Sequence, residues 1–141
     1  MRIFLDANVL FSAAKSNGAV RQLLELLRAD RHVLCADEYV VAEARRNLEL
    51  KAPDSGAALE DLLARIDVAP FEVSELPSEA AALLPEKDWP VLGAAIHQRC
   101  DALVTGDRTH FGTLYGKIIS GVSIHSPRSL AAALLTKKPS G

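Results

Sequence analysis

Four acidic side chains of this sequence are candidates for shared chemistry: Asp6, Glu43, Asp88 and Asp107. Asp6 and Asp107 each follow a short apolar run typical of a buried strand, Asp88 opens a predicted helix, and Glu43 lies inside one. Taken alone, Asp6 is explained equally well as a turn residue, whereas a helix cap for Asp88, a Gly-Asp turn for Asp107 and a solvated helix position for Glu43 are the better explanations. Ligands of open α/β sheets bind beyond the carboxyl ends of the strands, so parallel neighbouring strands would bring the four into one site.

Carboxylates gathered in one cleft repel one another, so such a site takes up protons or binds a divalent cation. Oxygen ligands suit Mg²⁺ or Mn²⁺. The histidines, at positions 32, 97, 110 and 125, show no zinc-binding spacing. A divalent ion held by carboxylates activates water and stabilises the charge that develops on a phosphate during in-line displacement. The acids therefore predict a magnesium or manganese site for phosphate chemistry.

The elements that must position these acids are short apolar strands alternating with amphipathic helices. Strands are predicted at residues 3–5, 33–35, 69–73, 102–105 and 122–124. Helices are predicted around residues 20–27 and over residues 37–50, 59–66, 78–84, 88–99 and 126–135, with a loop at 85–87. This alternation predicts an α/β fold with a central parallel β-sheet flanked by α-helices. We expect one domain over residues 1–135 and a polar tail over 136–141.

The composition excludes several classes of protein. The chain has 141 residues, and 16 basic against 18 acidic side chains leave a net charge of −2. That balance disfavours a duplex-DNA binder, and an aromatic content of 5% disfavours a base-stacking platform. Asp6 and Asn8 interrupt the apolar start, which excludes a signal peptide, and no run approaches the ~18 apolar residues of a membrane span. Cys35 and Cys100 are expected to be buried free thiols, which indicates a cytoplasmic protein.

Four segments of the sequence resemble, in the same order, the four motifs of PIN-domain nucleases. That family has an Asp after the first strand with a small polar residue two positions on, a helical Glu, an Asp that opens a helix, and a strand followed by Thr-Gly-Asp. No single motif is specific, but four in order within a chain of this size are. The matching segments are residues 4–10 (FLDANVL), 40–45 (VVAEAR), 87–95 (KDWPVLGAA) and 100–107 (CDALVTGD).

The resemblance extends from residue 2 to about residue 135 and implies a three-layer α/β/α PIN-like fold. It implies a Mg²⁺- or Mn²⁺-dependent endoribonuclease that hydrolyses phosphodiester bonds of single-stranded or loop RNA. Its metal-binding acids would be Asp6, Glu43, Asp88 and Asp107, with Asn8 and Thr105 as supporting polar residues. The family includes toxins of bacterial VapBC toxin–antitoxin pairs, so an antitoxin partner and a homodimer are also implied.

Two positions depart from the family pattern, and several others have open roles. Ala7 stands where the family often has Thr or Ser, and Lys87 stands where related sequences often carry an acid. Both departures affect the fine geometry expected for the site and leave the four proposed metal-binding acids in place. Trp89 is predicted to pack on the core. Contacts with RNA phosphates are expected from a set of basic residues that are explained equally well, or better, as solvated: Arg45, Arg46, Arg108 and His110.

Two other functions remain open at this point. A haloacid-dehalogenase-type phosphatase also places an Asp after its first strand, but it needs a second Asp where this chain has Asn8 and a further acid where it has Phe111. Turnover of a phosphomonoester would support it. A non-catalytic PIN-like module that binds RNA or a protein is the other alternative, and failure to take up Mn²⁺ would favour it.

Overall fold

Six strands form one sheet in a computed structural model that describes residues 1–73 and 75–135. The order across the sheet is β3-β2-β1-β4-β6-β5. Neighbouring strands are parallel except β5, which is antiparallel to β6. The strands are β1 (Arg2–Leu5), β2 (Val33–Asp37), β3 (Asp67–Ala69), β4 (Ala102–Val104), β5 (Ile118–Ile119) and β6 (Val122–His125). The predicted α/β fold with a central, mostly parallel sheet is confirmed.

Eight α-helices flank this sheet in the described part of the chain. They are α1 (Ala7–Lys15), α2 (Ala19–Ala29), α3 (Glu38–Lys51), α4 (Gly56–Leu63), α5 (Ser78–Ala81), α6 (Trp89–His97), α7 (Arg108–Phe111) and α8 (Pro127–Leu135). Short 3₁₀ turns occupy Pro53–Ser55, Glu86–Asp88 and Gly112–Leu114. Among the described residues, no helix is both long enough and apolar enough to cross a membrane.

The core lies on both faces of the two central strands. Ile3, Phe4 and Leu5 of β1 are fully buried, as are the residues of β4. Both faces are covered, so these strands consist of continuous apolar runs rather than alternating ones. The two cysteines, Cys35 and Cys100, are buried and free, as expected.

The chain reverses its direction across the sheet between β1 and β4. It passes from β1 to β2 and β3 on one side, and then returns to place β4 on the other side of β1. Leu5 of β1 pairs with Val104 of β4, so the residues that follow them, Asp6 and Thr105, leave the sheet side by side. This is the topological switch point at which open α/β sheets bind their ligands.

Three local predictions were wrong. The strand predicted at residues 69–73 is at Asp67–Ala69 instead, and Pro70, which has no N–H for the ladder, follows its end. The helix predicted over 78–84 is α5, which ends at Ala81, and the loop predicted at 85–87 overlaps a 3₁₀ turn. The polar tail predicted at 136–141 lies outside the described residues.

Helices α1 and α7 and strand β5 were not predicted. Helix α1 begins directly after Asp6, in a segment that is apolar on more than one face. The β5–β6 hairpin turns at Ser120 and Gly121, whose φ angles of 50° and 84° suit a tight two-residue turn.

Candidate active site

Asp6 is positioned by the junction of β1 and α1. Its side chain caps α1, where Oδ1 accepts a hydrogen bond of 2.7 Å from the Ala7 N–H. Its Oδ2 accepts a second bond, of 2.8 Å, from the hydroxyl of Thr105 at the end of β4. The residue is only 6% exposed. Both oxygens are therefore held in fixed directions at the switch point of the sheet.

The environment of Asp6 opposes its negative charge. Burial, with a further contribution from the charges of Glu43 and Asp88, raises its pKa from 3.8 to about 6. The hydrogen bonds from Thr105 and Ala7 act in the opposite direction but do not cancel the effect. A bound cation would offset the same repulsion.

A small polar network ties the ends of β1 and β4 together. The Thr105 hydroxyl, which donates to Asp6, lies 3.1 Å from the Asp107 N–H and accepts from it. Oδ1 of Asn8 accepts a bond of 2.7 Å from the N–H of Gly106. A Cβ at Gly106 would come within 3.3 Å of that same Asn8 oxygen, so glycine permits the close approach. The two predicted supporting residues, Asn8 and Thr105, thus lie between the loops that carry Asp6 and Asp107.

Asp88 and Asp107 meet at His110. Asp107 caps α7 by accepting a bond of 3.2 Å from the His110 N–H. The His110 ring atom Nδ1 lies 2.8 Å from Asp107 Oδ2 and 3.0 Å from Asp88 Oδ2. The contact with Asp107 has hydrogen-bond geometry. The contact with Asp88 does not, so Oδ2 of Asp88 is buried without a hydrogen-bond partner among the described residues.

The charge of Asp88 is also disfavoured. Burial raises its pKa, and the negative charge of Asp107 adds to the effect. Electrostatic interactions with His110 and Lys87 lower the pKa in part, because they favour the carboxylate. Two of the four acids therefore have pKa values raised by burial and by their neighbours.

Glu43 completes the group from α3. Its negative charge raises the pKa of Asp6 and contributes to raising that of Tyr39, for which burial is the main cause. All four predicted acids line one cleft of about 240 Å³. The other lining residues come from α1, α3, α6 and the 3₁₀ turn before α6: Ala7, Asn8, Tyr39, Asn47, Lys87 and Val91. The structure therefore brings the four acids together: the pairing of β1 with β4 does so for Asp6 and Asp107, and α3 and the start of α6 add Glu43 and Asp88.

Some predicted residues lie elsewhere. Arg45 forms a two-bond ion pair with Glu60 of α4, at 3.0 and 2.8 Å, and lines a different groove. Arg46 and Arg108 are exposed side chains outside the set that lines the cleft. The Trp89 indole N–H donates to the carbonyls of Ala81 and Leu84, both at 3.0 Å, and its ring packs against the core, as predicted.

Sequence reasoning missed other residues of the cleft. Tyr39 and Asn47 lie on α3 at positions i−4 and i+4 relative to Glu43, so all three share one face of that helix. This spacing was a signal that could have found them. Lys87 adjoins Asp88 in sequence, but its position at the cleft depends on the 3₁₀ turn before α6.

The family of this chain is shown by its match to a protein-family model. A family model described as PIN domain matches residues 2–109, which include all four acids. The chain belongs to the PIN domain family. No match was found among the curated proteins.

A solved structure shows the same fold as this PIN domain. It is a chain from the crystal structure of VapBC2 from Rickettsia felis bound to a DNA fragment from their promoter. The two chains are 20% identical with a TM-score of 0.67, over 89% of this chain and 98% of that one. At this identity the likeness establishes a common fold.

The cleft of this PIN domain has the donor set for a divalent cation. Its carboxylates supply the oxygen ligands that Mg²⁺ and Mn²⁺ accept. The buried Oδ2 of Asp88 lacks a hydrogen-bond donor within the described part of the chain, and a cation would satisfy it. The pKa values of Asp6 and Asp88 are raised mainly by burial and in part by neighbouring negative charges, and a cation would offset both effects.

Proposed function

We propose that this PIN domain is a divalent-metal-dependent endoribonuclease and the toxin of a VapBC-type toxin–antitoxin pair. The convergence of four acids in one cleft at the switch point of the sheet carries the proposal. Membership of the PIN family supports nuclease chemistry, and the shared fold with a chain of the VapBC2 complex supports the toxin role. The substrate is the phosphodiester backbone of single-stranded or loop RNA.

The residues of the site have two roles: the acids hold the metal, and neighbouring polar side chains orient the acids. Asp6, Glu43, Asp88 and Asp107 hold the metal, which when bound provides Lewis-acid stabilisation of the phosphate and activation of water. Thr105 fixes the direction of the Asp6 carboxylate through its bond of 2.8 Å. Asn8 holds the Gly106 loop against α1, and so keeps Asp107 in place. Preorganisation of this kind removes the cost of gathering like charges during the reaction.

Lys87 supplies a positive charge at the cleft. Its side chain is exposed and lines the cleft beside Asp88. Phosphate contacts from basic side chains position a nucleic acid without reading its sequence. Lys87 therefore holds the RNA backbone beside the acids, with Arg46 and Arg108 as further contacts. Arg45 is committed to Glu60 and contributes less.

The decisive experiment measures cleavage of defined RNA pools with Mg²⁺, with Mn²⁺ and with a chelator. The Asp88→Asn variant should lose at least about a hundredfold in rate, since it removes an oxygen charge that stabilises the reacting complex. Asp54→Asn is the matched control, because Asp54 is exposed on the Pro53–Ser55 turn away from the cleft. Cleavage that persists in chelator, or an Asp88→Asn variant as fast as the wild type, contradicts the proposal.

The toxin role has its own test. A VapBC-type toxin acts in the cytoplasm, is held inactive by an antitoxin, and here is proposed to be a homodimer. Expression of the chain should arrest growth, and co-expression of a small adjacent upstream reading frame should restore it. Growth arrest by the Asp88→Asn variant would show that toxicity does not depend on the nuclease. Cleavage without toxicity would leave a nuclease that is not a toxin.

The non-catalytic alternative predicts a different result. A module that only binds RNA or protein needs no complete metal site, whereas this cleft holds all four acids. Calorimetric titration with Mn²⁺ separates the two, because only the enzyme requires uptake by the wild-type chain. The PIN family match disfavours the phosphatase alternative.

A further inference from the structure

His110 occupies an unexpected place in the cleft. The ring was expected to contact an RNA phosphate or to be solvated, but its Nδ1 atom lies close to a carboxylate oxygen of two of the acids. It lies 2.8 Å from Asp107 Oδ2 and 3.0 Å from Asp88 Oδ2. One donor atom from each of these three residues lies within 4.8 Å of the others. The histidine therefore stands among the atoms that would hold the ion.

The distances from His110 Nδ1 to the two carboxylate oxygens match the distances between adjacent ligand atoms around a small cation. Ligand atoms about 2.1 Å from an octahedral ion are separated from their neighbours by about 3 Å. Both Nδ1 contacts are close to that value. The Asp88 Oδ2 atom is buried and lacks a hydrogen bond from any of the described residues, although Nδ1 is close. An ion among the three atoms would satisfy Asp88, which the histidine alone does not.

The local backbone holds the group in place. Asp107 Oδ1 accepts the His110 N–H at 3.2 Å, so the two residues form one unit at the start of α7. The His110 side chain is only 23% exposed, and Asp88 is 15% exposed. A ring in such a place loses little freedom when it binds an ion, which favours ligation over a loose contact.

We propose that His110 binds the catalytic metal directly through Nδ1, completing a mixed site with the carboxylates of Asp88 and Asp107. This inference rests on the proposed metal-dependent function and deepens it. Without an ion, the Nδ1–H group of His110 donates to Asp107 Oδ2. With an ion bound, a neutral imidazole would carry its hydrogen on Nε2 instead, so that the Nδ1 lone pair would face the ion. Mg²⁺ prefers oxygen ligands, whereas imidazole suits first-row transition ions. The site therefore selects Mn²⁺ over Mg²⁺.

Pulsed electron paramagnetic resonance of the Mn²⁺-loaded full chain tests this directly. A nitrogen bound to Mn²⁺ produces a ¹⁴N coupling that oxygen ligands do not. The wild type should show the coupling, and His110→Leu should not. His97→Gln is the matched control, because His97 also contacts a carboxylate, Glu72 at 2.6 Å, but outside the cleft. That variant should keep the full coupling.

Metal titrations provide a second readout. His110→Leu should weaken Mn²⁺ binding at least tenfold, which is the lower end of the loss seen when only a supporting partner of a ligand is removed. His110→Asp places an oxygen on the same Cγ, so it should regain binding without the ¹⁴N coupling. Its preference for Mn²⁺ over Mg²⁺ should be smaller than that of the wild type.

The outcomes separate this inference from the proposed function. Any one of three results overturns the histidine ligand. They are failure of the wild type to take up Mn²⁺, absence of a ¹⁴N coupling in the wild type, and a coupling that persists in His110→Leu. The wild-type spectrum decides this even if a variant fails to fold. RNA cleavage that continues without a nitrogen ligand leaves the nuclease standing. A clear coupling in a chain that cleaves no RNA overturns the nuclease and leaves the metal site.

Discussion

At the scale of single residues, the folded chain without a bound cation disfavours the charged form of Asp6. Asp6 is 6% exposed and has a pKa of about 6, because burial disfavours its charged form. Hydrogen bonds from Thr105, Ala7 and, at 3.4 Å, Asn8 hold the carboxylate in place but do not restore an ordinary pKa. A buried carboxylate of this kind lowers the stability of the folded chain, a cost that proteins tolerate where the residue is needed for function.

The pH dependence of stability should reveal this cost. Between pH 3.8 and about 6 the folded chain keeps a proton on Asp6 that the unfolded chain has released. The contribution of Asp6 to the free energy of unfolding therefore falls as the pH rises through this window, by about 3 kcal/mol in total. Asp6→Asn lacks this contribution, so its stability relative to the wild type should increase with pH.

Urea unfolding in chelator at pH values from 4 to 7 measures the difference. The same variant should lose RNA cleavage and stay folded. Curves for the two proteins that run parallel across the whole range would show that Asp6 titrates normally.

Thr105 is the second residue with a measurable role. Its fully buried hydroxyl donates to Asp6 and accepts from the Asp107 N–H. Thr105→Val keeps the shape but removes the hydrogen bonds to the Asp6 carboxylate and from the Asp107 N–H, which should cost about 2 kcal/mol of stability. The Thr105 bond lowers the pKa of Asp6, so its loss should raise that pKa further and move the acidic limb of the cleavage pH profile upward.

The exposed Thr109 in α7 offers the matched control for that measurement. Thr109→Val should change stability by less than about 0.5 kcal/mol and leave the pH profile in place. A Thr105→Val profile that coincides with the wild type would mean that the hydroxyl does not tune Asp6.

At the scale of elements, α1 has to be held firmly, because it carries Asn8 and is capped by Asp6. Its C-terminal end is bound by Arg21 of α2, whose guanidinium donates to the carbonyls of Ala13 and Ala14 at 2.6 and 3.0 Å. These carbonyls lie in the last turn of α1, where a positive charge is favourable. One side chain therefore links α2 to the helix that forms a wall of the cleft.

Removal of the Arg21 side chain tests how far the stability of the fold depends on the link between α2 and α1. Arg21→Met should lower the free energy of unfolding by about 2 kcal/mol, since two hydrogen bonds from a charged donor are lost. Arg28→Met, on the same helix but exposed, should change it by less than about 0.5 kcal/mol. Chemical denaturation of both variants measures the difference. Equal losses would show that α1 does not depend on this cap.

At the scale of the whole molecule, the net charge of −2 is compatible with a polyanionic substrate. Four of the acids are gathered in one cleft, and bound divalent ions would neutralise them. The affinity for RNA should therefore depend on the metal and on Lys87 at the cleft, with the exposed Arg46 and Arg108 as the further contacts proposed above.

Metal binding should also stabilise the whole fold. An ion that binds only the folded chain adds about 2.7 kcal/mol when its free concentration is a hundred times its Kd. For a chain of this size that corresponds to a rise in Tm of about 5 to 10 °C. Thermal unfolding with and without Mn²⁺ tests this. Asp88→Asn should lose most of the rise and Asp54→Asn none, and identical shifts would place the ion elsewhere.

Much of this architecture follows from local sequence patterns. The apolar runs before Asp6 and Asp107 identify β1 and β4, because strands buried on both faces must be apolar throughout. The helical spacing around Leu23, Leu24 and Leu27 identifies α2. Residues 69–73 were assigned wrongly because their β-forming side chains outweighed Pro70. Helix α1 was missed because its apolar residues are not confined to one stripe.

The sequence by itself predicted the parallel sheet and the four acids that the sheet and its helices bring together, since strand type and strand ends are local properties. The resemblance to PIN-domain nucleases added Asn8 and Thr105 as supporting polar residues. Only the tertiary structure decided the partners of the remaining side chains. His110 reaches Asp88, 22 positions earlier in the chain, and Arg45 is bound to Glu60 rather than facing the cleft. Such contacts depend on how α7 and α4 pack against distant elements. Packing is a property of the whole fold, which no short pattern encodes.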